Sequence, residues 1–115
     1  MHQSPNLLFN SFMEYAIYHT LIFNKKIEDF SEDLKKQIDR FEEQLIENPY
    51  VGKPLGTRNF REKKLGSYRM YYLIYDDLKA VYIITLSGKK DQQKVINTIR
   101  YFLDKYRKEI EDLAT

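Results

Sequence analysis

The residues best suited to handling an anion are gathered in one stretch, REKKLGSYRMYYLIY at 61–75. Arg61, Lys63 and Lys64 precede a Gly66-Ser67 turn, Arg69 follows it, and Lys89 and Lys90 close the next apolar run. Ammonium and guanidinium donors bind phosphate oxygens, and the guanidinium fork can take two at once. A lysine crowded by other cations also holds its proton less tightly and can act as a base. If the segments flanking the turn are paired strands, Arg69 faces the basic first strand across it. Like charges placed opposite one another destabilise a sheet. A solvated edge or an anionic partner must offset that cost, and phosphate is the anion these donors suit.

Other chemistries find little support. There is no cysteine, which removes disulfides, thiolate catalysis and thiolate metal sites. His2 and His19 are the only imidazoles, too few for a histidine-based metal site. His19 lies mid-run among bulky residues and reads as packed or edge-exposed. The pairs Glu42-Glu43 and Asp76-Asp77 read as a solvated helix face and a turn tip. Ser87-Gly88-Lys89-Lys90 lacks the earlier glycine of a phosphate loop and has Lys90 where Ser or Thr belongs. Strand alternation puts Tyr68 and Tyr72 on one face and Tyr71 and Tyr75 on the other. Most of these tyrosines suit burial with a polar tip. Tyr71 is the candidate for stacking on a base, as in single-strand binders.

The elements that must position these groups follow from periodicity. YAIYHTLIF at 15–23 reads as a strand, KKIEDF at 25–30 as a short helix capped by Asn24. Ser31 caps a second helix, with Glu32 and Asp33 in its first turn. Leu34, Ile38, Phe41 and Leu45 mark its buried face to about residue 47, and Asn48-Pro49 ends it. NPYVGKPLGTRNF, with its two prolines and two glycines, is a loop. Strands follow at 60–65, 68–76 and 80–87, then a helix over 91–113 whose Ile96, Ile99, Leu103, Tyr106, Ile110 and Leu113 repeat at three-four spacing. That face packs on the sheet or forms a short coiled-coil seam. The order is β-α-α-β-β-β-α: an α+β fold in which an N-terminal helical hairpin and a long C-terminal helix cover an antiparallel sheet of three to four strands.

The chain has 115 residues, enough for one domain with its own core. Residues 13–115 read as that domain and 1–12 as an extension without the features of a signal peptide. No apolar run approaches a membrane span, and the absence of cysteine fits a cytoplasmic protein. Net charge is only +2, yet residues 53–90 hold nine basic groups against three acidic ones, while 25–48 hold five against eight. One positive face is expected rather than a uniformly basic surface.

Several segments, in order, resemble the RelE/ParE superfamily of toxins. Glu47-Asn48-Pro49 resembles the family's "ENP" helix end, and Gly52-Lys53-Pro54-Leu55 its "G-x-P-L". Residues 61–72, REKKLGSYRMYY, are similar to "RELRVGDYRVIY", and Gly88-Lys89-Lys90 falls at "G-[HK]-[RK]". The resemblance spans about 13–96. It implies a toxin neutralised by a cognate antitoxin, as a hetero-oligomer with it or as a homodimer. RelE-like members cut mRNA in the ribosomal A site by attack of a 2′-hydroxyl on the adjacent phosphate, without a metal or other cofactor. The alternatives are ParE-like inhibition of DNA gyrase and a degenerate toxin that only binds its antitoxin. Carried over by position, Lys64 is the base or transition-state stabiliser, Arg69 the phosphate clamp, and Lys90 the group near the leaving oxygen. Arg61, Lys63, Lys89 and Tyr71 would contact RNA or the ribosome. Lys90 replaces the family's arginine, Ile96 stands where many members have tyrosine, and Lys63 occupies a usually apolar position.

Overall fold

The structure, a computed structural model, describes residues 14–115. The extension expected over 1–12 lies outside the described residues. The strands are β1 (Ala16–His19), β2 (Lys53–Pro54), β3 (Phe60–Leu65), β4 (Tyr68–Tyr75) and β5 (Ala80–Gly88). They form one sheet in the order β1-β5-β4-β3-β2. The antiparallel meander β3-β4-β5 is as expected from the turns. Two further strands make the sheet five-stranded and mixed: β1 runs parallel to β5, and the two-residue β2 pairs with β3 inside the segment expected to be loop.

The helices are α1 (Leu21–Ile27), α2 (Glu32–Glu47), α3 (Gln92–Tyr101) and α4 (Leu103–Ala114). α1 and α2 cover one face of the sheet, where Phe23, Ile38, Phe41 and Leu45 meet Met70, Tyr72, Ile74, Val81 and Ile83. α3 and α4 cover the other face, where Ile96, Ile99 and Ile110 meet Phe60, Tyr71, Leu73 and Tyr82. The three-four face of the last helical stretch thus packs on the sheet rather than forming a seam. Leu103 and Leu113, from the same pattern, stay exposed.

Two boundaries differ from the sequence reading, each for a local reason. The apolar run YAIYHTLIF leaves the sheet at Thr20 instead of Phe23. The Thr20 hydroxyl accepts from the Phe23 N–H at 3.0 Å, capping α1, and donates to the Ile84 carbonyl at 2.6 Å. One side chain therefore ends the strand, starts the helix and ties both to β5. The last helix breaks at Phe102 (φ −102°, ψ 20°), whose N–H is shared between the Thr98 and Ile99 carbonyls. Thr98 also donates back to the Lys94 carbonyl at 2.9 Å, a bond that bends helices. Ser31 caps α2 as expected, accepting from the Leu34 N–H.

Candidate nucleic-acid interface

Across β3, β4 and β5 the register brings Lys64, Arg69 and Ser87 into one row, with Lys64 paired to Arg69 and Arg69 to Ser87. The next row is Glu62, Tyr71 and Thr85. Both rows lie on the face covered by α3. A bulge in β5 makes this alignment possible. Tyr71 pairs with Thr85 and Tyr72 with Ile83, so Ile84 is an extra residue. The insertion reverses the alternation beyond it. Leu86 consequently points into the α1–α2 core, and Ser87 shares a face with Arg69.

The cations at this end of the sheet differ in how far they are partnered. Arg61, Arg69 and Arg107 are the half-buried arginines among the described residues. Arg61 and Arg107 each make several side-chain bonds, whereas Arg69 makes neither an ion pair nor a side-chain hydrogen bond among the described residues. Lys64 is exposed on the same face, also unpaired among the described residues. Lys89 and Lys90 are exposed in a 3₁₀ turn (Lys89–Asp91) that leads from β5 into α3. This end therefore presents positive charge from three pieces of backbone, none of it in an ion pair among the described residues.

Beneath the charge sits a polar lattice. The Tyr71 hydroxyl lies 2.8 Å from Ser87 Oγ, and Ser87 donates to the Gly88 carbonyl at 3.0 Å. The Gln92 side-chain amide, at the start of α3, donates to both Glu62 carboxylate oxygens at 2.9 and 3.1 Å. Burial raises the Tyr71 phenol's pKa. The Ser87 bond and the Arg69 charge oppose that rise, while the Glu62 charge adds to it. Tyr71 therefore stays a neutral phenol at physiological pH.

Three expected contacts are placed elsewhere. Tyr71 has 0% of its surface exposed, so its ring offers no face for a base and serves the lattice instead. Arg61 is spent on backbone: Nη1 donates to the Tyr50 and Gly52 carbonyls at 3.0 and 2.6 Å, and Nε to the Arg58 carbonyl at 2.8 Å. It holds the 48–58 loop against β3. Lys63 points to the opposite face, its ammonium 5.4 Å from the Phe41 ring. The alternation along β3 separates it from Lys64. Ile96 is buried in the core between α3 and the sheet. The sequence did not mark Glu62, Ser87 or Gln92 as residues of this site. Glu62 registers there only as an acid among bases, and nothing local marks its burial.

The loop motif has a packing reason. A Cβ on Gly52 would lie 2.5 Å from the Tyr72 hydroxyl and 2.7 Å from the Glu62 carbonyl oxygen. The Gly52 N–H donates to that hydroxyl at 3.0 Å, and the hydroxyl donates to the Pro49 carbonyl at 2.9 Å. Glycine is needed there for close approach, and proline for ending α2.

Residues 15–93 match the sequence model of the family described as "ParE toxin of type II toxin-antitoxin system, parDE". No curated protein sequence matches the chain. Among solved structures, a double mutant of the E. coli toxin RelE in the free state superposes with a TM-score of 0.62 at 22% identity. That match covers 73% of this chain and 92% of RelE. RelE in the intact E. coli RelBE toxin-antitoxin complex gives 0.58 at 20% identity, covering 64% and 95%. The archaeal RelE-RelB complex from Pyrococcus horikoshii OT3 gives 0.59 at 19%, covering 66% and 96%. These likenesses establish a shared fold. Among the described residues no helix is long and apolar enough to cross a membrane. With the family match spanning both the helical hairpin and the whole β3-β4-β5 meander, the chain belongs to the RelE/ParE superfamily, as a toxin of a type II toxin–antitoxin system.

Proposed function

We propose that the protein is a ribosome-dependent mRNA endonuclease whose substrate phosphate lies over Lys64 and Arg69. The observation that carries this reading is the half-buried Arg69, without a partner among the described residues, set opposite Lys64. Two like charges in direct register cost stability unless an anion joins them. A phosphodiester is doubly matched, giving the guanidinium fork two oxygens and the ammonium a third contact.

The reaction needs a proton acceptor for the 2′-hydroxyl, charge stabilisation at phosphorus and a proton for the departing 5′-oxygen. Lys64, exposed and in register with Arg69, takes the first role or shares the second. Arg69 holds the non-bridging oxygens. Lys90, on the turn beyond β5, stands on the leaving-group side with Lys89 beside it. Ser87, in register with Arg69, underlies this site, its hydroxyl engaged by Tyr71 and the Gly88 carbonyl.

The structural neighbours that are toxin–antitoxin complexes support a cognate antitoxin as the protein partner. The match to the ParE toxin family keeps a second reading, ParE-like inhibition of DNA gyrase, in which the same cations serve a protein contact. Primer extension on mRNA in a reconstituted translation system separates the two. The natural chain is expected to give cuts at A-site codons, and Lys64→Ala or Arg69→Ala to reduce their rate about 10²–10³-fold. Growth arrest without any cuts, unaltered in the Lys64→Ala/Arg69→Ala variant, would sink the nuclease reading. Loss of gyrase supercoiling in the same extracts would then establish the second one. Antitoxin binding with neither effect would mark a chain that only binds its antitoxin.

A further inference from the structure

Glu62 is buried, 6% exposed, on the strand face that also carries Lys64 and Arg69. A carboxylate in that position is ordinarily claimed by the nearest guanidinium. Glu62 lies opposite Tyr71, two residues from Arg69 on the neighbouring strand, so the two are diagonal neighbours. Diagonal pairs on an antiparallel ladder are within reach of long side chains. The opposing pulls of Glu62 and Arg69 on the Tyr71 phenol place both near it. Yet neither Lys64 nor Arg69 forms an ion pair with Glu62. Both carboxylate oxygens are occupied instead by the Gln92 amide, delivered by the first turn of α3.

We infer that Gln92 is a positioning residue for the phosphate site: it holds the Glu62 carboxylate away from Arg69 and so keeps the guanidinium fork open for RNA. This rests on the phosphate-binding reading of Lys64 and Arg69. Glutamine suits the task. Its amide satisfies a buried carboxylate without bringing a charge, whereas a lysine or arginine at 92 would compete for the phosphate. Losing the amide leaves a buried carboxylate short of donors, a cost that Arg69 can relieve by swinging onto it. The fork is then occupied and RNA must displace it.

The test is equilibrium binding of a short fluorescein-labelled single-stranded RNA to the purified full chain, with thermal melts to confirm folding. Gln92→Ala is expected to weaken binding about tenfold, the equivalent of one charge-assisted contact. Gln92→Ala/Glu62→Gln is expected to restore it, which a purely structural role for Gln92 would not do. Glu62→Gln alone is expected to bind as well as the natural chain or better. Unchanged binding by Gln92→Ala, no recovery in the double variant, or weaker binding by Glu62→Gln each overturns the inference. The last of these still decides the matter if Gln92→Ala does not fold. Lys64→Ala/Arg69→Ala serves as the reference. If it binds RNA as the natural chain does, the phosphate reading itself fails, and with it the role of Gln92. If it loses binding while Gln92→Ala does not, only the inference fails.

Discussion

Arg61 and Arg69 carry the same group on neighbouring strands and use it in different ways. Arg61 donates to three carbonyls and organises the loop after α2, while Arg69 donates to none among the described residues. Arg61→Ala is accordingly expected to lower stability by about 2 kcal/mol, since it leaves part-buried carbonyls without donors. Lys64→Ala is expected to stay within about 0.5 kcal/mol. Urea denaturation of the two variants checks the contrast. A second residue, Asp76, collects the Tyr15 and Tyr50 hydroxyls, the Asn59 amide and Arg58, joining the start of β1 to the 48–59 loop and the β4–β5 turn. Burial pushes its carboxyl up, but those donors and the Arg58 charge outweigh it and hold it below its ordinary value of 3.8. A depressed folded-state value stabilises the fold above the unfolded one and loses that contribution as pH falls through the folded value. The stability difference between the natural chain and Asp76→Asn should therefore be constant near neutrality and shrink below about pH 4. A gap that stays constant down to acid pH would deny the carboxylate this role.

Among the elements, α4 depends on few attachments. Ile110 is its one fully buried residue, joined by the partly buried Tyr106 and Ala114. Its polar attachments are the Tyr82 hydroxyl to Glu109 at 2.7 Å and the forked Arg107–Asp77 pair at 2.7 and 3.1 Å. The Arg107 pair is exposed and contributes little on its own. Ile110→Ala should therefore cost about 3 kcal/mol and loosen α4 selectively. Hydrogen exchange is the measurement: α4 amides should exchange faster in the variant while those of β4 and β5 remain protected. Uniform acceleration across the sheet would instead make α4 an integral part of the global core. α1 shows the complementary economy, since Thr20 supplies both its cap and its link to β5. The cost of that arrangement is the exposure of Leu21 and Ile22, 85% and 61%.

Over the whole molecule, the modest net charge of +2 conceals a polarised distribution. The acid-rich α2 and the basic end of the β3-β4-β5 meander are carried by different elements. RNA affinity should consequently depend on salt far more steeply than the net charge suggests. Each phosphate contact to a single strand contributes a slope of about 0.7 in log K against log salt. Lys64→Ala/Arg69→Ala should reduce that slope by about 1.4, measured by fluorescence titration across a salt series. An unchanged slope would place the RNA contacts elsewhere on the surface.

Local sequence was enough for the elements whose causes are local. Ser31 and the 3.6-residue pattern define α2, Asn48-Pro49 ends it, and the Gly66-Ser67 turn sets the β3–β4 register that pairs Lys64 with Arg69. These depend on capping, proline sterics and turn geometry, which act within a few residues. The rest depended on contacts between distant segments. β1 became a parallel edge strand because β5 was there to receive it, and Thr20 ended it because the Ile84 carbonyl was within reach. The bulge at Ile84, which brings Ser87 beside Arg69, has no mark in AVYIITLS. The fates of Arg61, Lys63 and Tyr71 were decided by the loop, the Phe41 ring and the α3 core that they meet. The sequence alone could place a cluster of cations on adjacent strands. Only the fold could say which of them lacked a partner, because that depends on every neighbour that might have supplied one.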